Sequence, residues 1–177
     1  MMVWLQKIST PMAKTSQVHE DDEGFVDDPS GRTFWGSRGS GTLFVRINPT
    51  LGPQVLAVQR SSRVEEPYTW GTSGGAVPKG ETDLLASAIR ETTEELGSFP
   101  SHYNMLKTYS WSQPGGSFTY TTYIMQVMDE WTPRNFNYEV SAARWVSIED
   151  ARQLDLHFGL SDLLDSLGDS IFSGEDN

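Results

Sequence analysis

The sequence predicts an α/β layered domain. Three observations predict it: β-rich runs bounded by Pro, Gly and Asn clusters, one central amphipathic helical segment, and short helical patterns after the last β-rich run. Strands that flank a single helix and are followed by helices have an apolar face on each layer, which packing the layers together buries.

Each element follows from its local pattern. Residues 1–39 show little periodicity and carry acidic groups at Glu20, Asp21, Asp22, Glu23, Asp27 and Asp28. They read as a loosely packed extension, with Trp4, Phe25, Phe34 and Trp35 available to anchor it on the domain or on a second subunit as a dimer arm. The domain itself is expected over 40–170, followed by an acidic tail at 171–177. Residues 42–47 and 54–59 read as strands joined by the turn sequence Asn48-Pro49-Thr50-Leu51-Gly52-Pro53. Residues 68–72 form a short extended segment leading into a Gly74-Gly75 turn. A helix over 83–96 places Leu85, Ile89, Thr92 and Leu96 on one face, with Glu91, Glu94 and Glu95 to one side. Gly97 stands where a helix end takes a left-handed residue. Residues 105–112 and 117–128 read as a hairpin around Pro114-Gly115-Gly116. A loop over 129–140 precedes a strand at 143–146. Ser147 caps a short helix with Glu149 and Asp150 in its first turn, and a last amphipathic helix covers 160–167.

Composition narrows the chemistry. The 177 residues include six Trp, eight Phe and six Tyr, enough to build a core, and no Cys. Thiol catalysis, thiolate metal sites and disulfides are therefore excluded. No apolar run approaches the roughly 20 residues that span a bilayer, so a cytoplasmic protein is expected, without membrane partners. The formal net charge of −11 argues against a nucleic-acid partner, which calls for a basic patch. A small anionic substrate is compatible with that charge only where bound cations and nearby basic groups set the local field.

The chemistry concentrates in GGAVPKGETDLLASAIRETTEELG, residues 74–97. Positions i, i+3 and i+4 share a helix face, so Glu91, Glu94 and Glu95 converge. By itself such a run is a solvated acidic face. Preceded by a Gly-Gly turn and Glu81, it becomes a set of oxygen ligands suited to Mg2+ or Mn2+, which take one or two carboxylates together with substrate phosphates.

The segment resembles the Nudix box, in which a glycine, a glutamate and then Arg-Glu-x-x-Glu-Glu-x-Gly follow at fixed spacing. Gly75 and Glu81 keep that spacing, and Arg90 to Gly97 match the second half. A looser resemblance runs from Gly41 to Leu167. Between Glu81 and Arg90 the chain has eight residues, Thr82 to Ile89, against seven in the family pattern. An extra residue within a helix would rotate what precedes it by about 100°, so the insertion is expected in the turn around Thr82 and Asp83, which leaves the role of Glu81 open. Thr92 and Ser98 replace large apolar residues of the family pattern.

The resemblance implies the Nudix fold, a mixed sheet sandwiched between helices, and a hydrolase that cleaves the diphosphate linkage of a nucleoside diphosphate derivative by water attack at phosphorus. It implies Glu91, Glu94 and Glu95 as metal ligands, joined by a backbone carbonyl at Gly74 or Gly75, with Arg90 orienting the glutamates. Glu139, in the loop before the last strand, matches the family's additional carboxylate and is the candidate general base, with Glu91 as the alternative. Arg60, Arg63 and Lys79 are candidate phosphate contacts. Trp70, Phe136 and Tyr138 are candidates to stack on a base, and His157 reads as structural. Pro114, sixteen positions past Ser98, resembles the ADP-ribose hydrolases of the family and favours an ADP-ribose-like substrate. Nucleoside triphosphates, dinucleotide polyphosphates and a non-catalytic nucleotide-binding regulator are the alternatives.

Overall fold

The computed structural model describes residues 37–115 and 117–174, and the backbone of 25–27 and 33–35. Most of the anticipated N-terminal extension and dimer arm, the residue Gly116 and the end of the acidic tail lie outside the described residues. Two short strands, β1 (Phe25–Asp27) and β2 (Thr33–Trp35), pair antiparallel. The body of the chain is then β3 (Arg38–Asn48), β4 (Gly52–Arg60), β5 (Trp70–Gly71), β6 (Ser73–Ala76), α1 (Leu84–Leu96), β7 (Tyr103–Ser112), β8 (Thr119–Val127), β9 (Val140–Val146), α2 (Ile148–Ala151) and α3 (Phe158–Leu167), ending in a 3-10 turn, Gly168–Phe172.

The strands form one seven-stranded mixed sheet with the order β5-β4-β3-β8-β7, in which β6 also pairs with β3 and β9 with β4. β3 and β8 run parallel, from Arg38 opposite Thr119 to Val45 opposite Gln126, and the other pairings are antiparallel. Alternation along β3 distributes its side chains between two cores. Leu43 and Val45 join Ile124, Leu160, Leu163, Leu164 and Ile171 on the α3 side. Phe44 joins Leu56, Met125 and Leu96 on the α1 side, edge-on to Phe99 and Trp131 with ring centroids 5.3 and 4.8 Å apart. The fold is thus a mixed sheet between helices, as the sequence led us to expect.

Three local findings differ from expectation. Gly74 and Gly75 lie in strand β6, not in a turn, with Gly74 opposite Gly41 and Gly75 opposite Ser40. Mutual close approach explains the glycines: Gly74 has φ +150°, and a methyl group there would collide with Gly41, Ser40 and the Tyr120 hydroxyl. Secondly, the buried face of α1 is Ser87, Ala88, Thr92, Glu95 and Leu96, while Leu85 and Ile89 are half-buried. Small side chains let the helix close on β3 and β6, and Glu95 falls inside the contact instead of beside it. Thirdly, packing continues past residue 170, because Ile171 is fully buried and Phe172 packs against the same core.

The two departures from the family pattern each have a polar partner. Thr92 is fully buried with its hydroxyl 2.8 Å from that of Thr42. Ser98 accepts a hydrogen bond from the Trp131 indole at 2.9 Å. The extra residue is taken up before the helix: α1 starts at Leu84, and Asp83 caps it by accepting from the Ala86 N–H at 2.9 Å. At the other end Gly97 takes the left-handed conformation, φ +74°. Among the described residues no helix is long and apolar enough to cross a membrane.

Candidate active site

Strand β6 separates two sets of groups. Ser73 and Gly75 face α1, and Thr72 and Gly74 face the α3 side, as a two-residue period requires. On the α1 side the Glu95 carboxylate, 8% exposed, accepts a 2.5 Å hydrogen bond from the Ser73 hydroxyl and a 3.0 Å bond from the Gly74 N–H. Burial pushes its pKa up to about 8. The Ser73 and Gly74 donors oppose this shift, and the charges of Glu139 and Glu91 add to it. Glu91 lies one helical turn back, directly over Gly75, where a methyl group would stand 2.6 Å from Glu91 Oε2. Burial raises the Glu91 pKa too, and Arg90 opposes the rise.

Arg90 links the outer carboxylates. Its Nη1 is 2.6 Å from Glu91 Oε1 and 3.4 Å from Glu94 Oε1. Glu94 is 56% exposed, so it points away from the strand that holds the other two. Glu139, half-buried in the loop before β9, is close enough to raise the pKa of both Glu91 and Glu95. That loop is fastened to the end of β4. The Ser61 N–H donates to the Glu139 carbonyl at 2.7 Å, the Ser61 hydroxyl donates to the Tyr138 carbonyl at 2.6 Å, and Asn137 accepts from the Glu139 N–H at 2.8 Å.

The structure thus brings Glu91, Glu95 and Glu139 into one electrostatic cluster. It places the remaining candidates as follows. Arg60 is half-buried, donating from Nε to the Glu65 carbonyl at 2.6 Å, and burial lowers its pKa against the pull of Glu66, Glu95 and Glu139. Lys79 and Arg63 are exposed. Glu81 accepts from the Asp83 N–H at 2.8 Å, within the turn that absorbs the extra residue. The Trp70 ring is buried under the Arg144 guanidinium, 5.2 Å from its centroid, and Phe136 packs into the α1-side core. Of the three aromatic candidates Tyr138 is presented to solvent, 61% exposed beside Glu139. His157, 2% exposed, accepts from the Gly159 N–H at 3.2 Å as the cap of α3, with its Nε2 3.2 Å from Glu66 Oε2.

On the opposite side of β6 a narrow cleft is lined by Thr72, Tyr109, Trp111, Tyr120, Thr122 and Phe158. Trp111 and Phe158 meet edge-on with centroids 5.1 Å apart. The Tyr120 phenol is fully buried, and burial together with the charges of Glu95 and Glu91 keeps it in the neutral O–H form. None of the cleft residues was singled out in the sequence, nor were Ser73 and Ser61. Reading TWGTSGGA as a strand would have found Ser73, because alternation then puts it on the same side as Gly75.

The NUDIX domain profile matches residues 38–167 of this arrangement. The chain belongs to the Nudix family. It is 32% identical over 158 residues to a Mycobacterium tuberculosis protein named "Putative 8-oxo-dGTP diphosphatase 3", a match covering 86% of this chain and 72% of that protein. The Nudix hydrolase RenU from M. smegmatis shares the fold with a TM-score of 0.69 at 27% identity, over 82% of this chain and 92% of that one. The Ap4A hydrolase of C. elegans shares it with a TM-score of 0.59 at 20% identity, over 72% and 93%. A Nudix pyrophosphohydrolase it is, and Glu91 and Glu95 lie on the helix that carries the Nudix box, with Glu139 brought near them by the loop before β9.

Among the described residues no three His, Asp or Glu side chains stand ready-made as a metal cage: Glu95 is turned to Ser73, and Glu91 and Glu94 to Arg90. The residues nevertheless fit a hard divalent cation. Their donors are oxygens, two carboxyls are held above their usual pKa by burial and mutual repulsion, and Gly75 leaves open the space beside Glu91 that any side chain would fill.

Proposed function

We propose that the chain hydrolyses a phosphoanhydride bond of a nucleoside di- or triphosphate derivative with the help of a divalent cation. The observation that carries this reading is the proximity of Glu91, Glu95 and Glu139, in which Glu139 raises the cost of ionising both of the others and Glu91 that of ionising Glu95. Such a set is electrostatically unfavourable alone and is relieved by Mg2+ or Mn2+. Glu91, Glu94 and Glu95 would hold the ion, with a backbone carbonyl of Gly74 or Gly75. A cation held there neutralises phosphate oxygens and lowers the pKa of the attacking water.

The protein groups supply the rest. Water attacks a phosphorus atom, its proton passes to a carboxylate, and the P–O anhydride bond breaks with the electron pair leaving on the departing phosphate. Glu139 is the favoured base because its loop is fixed by Ser61 and Asn137, and Glu91 is the alternative. Arg90 orients Glu91 and Glu94, and Arg60 offers a cation to the phosphates. A planar base has an exposed aromatic support in the ring of Tyr138.

The substrate class follows from what stands behind each option. The ADP-ribose reading rests on Pro114, and the β7–β8 hairpin turn accounts for a proline there, with the Gln113 N–H bonded to the Phe118 carbonyl and Gly115 at φ +71°. The triphosphate reading is favoured by the relative named for 8-oxo-dGTP. We therefore place nucleoside triphosphates first and ADP-ribose second. Turnover of a panel containing dGTP, its oxidised form, ADP-ribose and a dinucleotide polyphosphate, with Mg2+ and after chelation, decides the matter. The expected result is fastest cleavage of a triphosphate, abolished by chelation. Fastest cleavage of ADP-ribose would reverse the order, and no cleavage of any member would favour a nucleotide-binding regulator.

A further inference from the structure

Tyr120 occupies a seat that three glycines clear for it. Its ring lies where a side chain on Gly39 would project, and its hydroxyl lies where side chains on both Gly41 and Gly74 would project. The three glycines belong to two different strands, β3 and β6, so the vacancy is a property of the sheet and not of one turn. The same ring lines the aromatic cleft. Its hydroxyl is therefore packed against the back of Gly74, whose N–H holds the Glu95 carboxylate on the other side.

We propose that Tyr120 is a positioning residue of the phosphoanhydride site, setting from behind the strand segment Ser73–Gly75 that orients Glu95 and faces Glu91. The physical case is one of rigid transmission. Gly74 has the backbone freedom to shift, lying at a φ that other residues rarely adopt and carrying no side chain to wedge it in place. The Tyr120 hydroxyl fills the space into which Gly74 would relax. Interiors are close-packed, so a missing oxygen there lets the backbone settle toward the gap. A displacement well under 1 Å at Gly74 lengthens its bond to Glu95 and weakens the ligand set, because ligands must be held to within about 0.5 Å.

The inference rests on the cation site proposed above, and its test separates the two. Mn2+ is titrated into the substrate-free protein and its binding read by electron paramagnetic resonance, alongside kcat, KM and thermal unfolding. Wild type should bind Mn2+ and Glu95→Gln should bind it at least tenfold more weakly. Failure of that pair of results overturns the site itself, and the role of Tyr120 with it. Given a wild-type site, Tyr120→Phe keeps the ring in its seat and should weaken Mn2+ binding about fivefold and lower kcat more than it raises KM. Gly39→Ala displaces the ring without changing its chemistry and should weaken Mn2+ binding in the same direction, which keeps the test open if Tyr120→Phe fails to fold. Wild-type Mn2+ affinity and kcat in a folded Tyr120→Phe protein would overturn the inference. So would a lowered unfolding temperature with unchanged Mn2+ affinity, since that is the mark of a residue that only packs.

Discussion

Glu95 shows how a single buried carboxylate is tolerated and used. Two donors, from Ser73 and Gly74, replace part of the lost water, and its raised pKa records what they fail to replace. A second carboxyl, Glu66, has the same character away from the cation ligands. Burial raises its pKa from 4.5 to about 7 against the opposing pull of Arg60, and it faces His157. The sign of its effect on stability follows. The folded state holds this proton more tightly than the unfolded chain, so the stabilisation is complete below pH 4.5 and is lost as the pH rises through about 7. In metal-free urea denaturation, Glu66→Gln should match wild type near pH 5 and exceed it near pH 8, by on the order of 1 kcal/mol after solvent screening. Glu95 leaves a slope of the same sign in both proteins, so the comparison reads Glu66 alone. A difference that does not change with pH would contradict this assignment.

At the scale of elements, helix α1 and strand β6 form the working unit. The helix approaches closely because Ser87, Ala88 and Thr92 are small and Thr92 has a partner in Thr42. Its frame is set by Asp83 at one end and Gly97 at the other. The extra residue lies outside that frame, which makes a sharp prediction. Deleting Thr82 should leave Glu91, Glu94 and Glu95 in place and retain activity within about tenfold. Deleting Ala86 should rotate the two parts of the helix by about 100° against each other and abolish activity. Equal turnover by the two deletion proteins would contradict the placement of the insertion. The helix, its Gly97 end and its acidic run were legible in the sequence because they are written in local spacing, whereas Asp83 was read as the first helical residue and is the cap before it. Strand β6 was not legible, because a Gly-Gly pair reads locally as a turn, and what makes it a strand is pairing with Gly41 and Ser40 more than thirty residues earlier. The burial of Glu95 was missed for the same reason, since Ser73 lies 22 residues away. Trp70 and Phe136 were candidates on proximity in sequence, whereas the chain folds both rings into packing contacts.

At the scale of the molecule, the sheet divides labour between its faces. One face carries α1 and the carboxylates, the other α3 and the aromatic cleft, and the glycines of β3 and β6 keep the wall between them thin. A chain with net charge −11 draws in an anionic nucleotide only if cations reverse the field locally. Arg90 is paired with Glu91 and Glu94, and Arg60 is tied to the Glu65 carbonyl within reach of the charges of Glu66, Glu95 and Glu139, so most of the reversal falls to a bound divalent ion. The most direct test of that claim is Mg2+-supported nucleotide turnover by wild type and Glu95→Gln, with thermal unfolding measured on the same samples before Mg2+ is added. Glutamine still accepts from Ser73 and Gly74 and stays uncharged at every pH, so the metal-free variant should unfold at the metal-free wild-type temperature or above. The account predicts a loss of turnover of about 100-fold or more in this intact protein. Turnover within about twofold of wild type, with the same Mg2+ requirement, would contradict it.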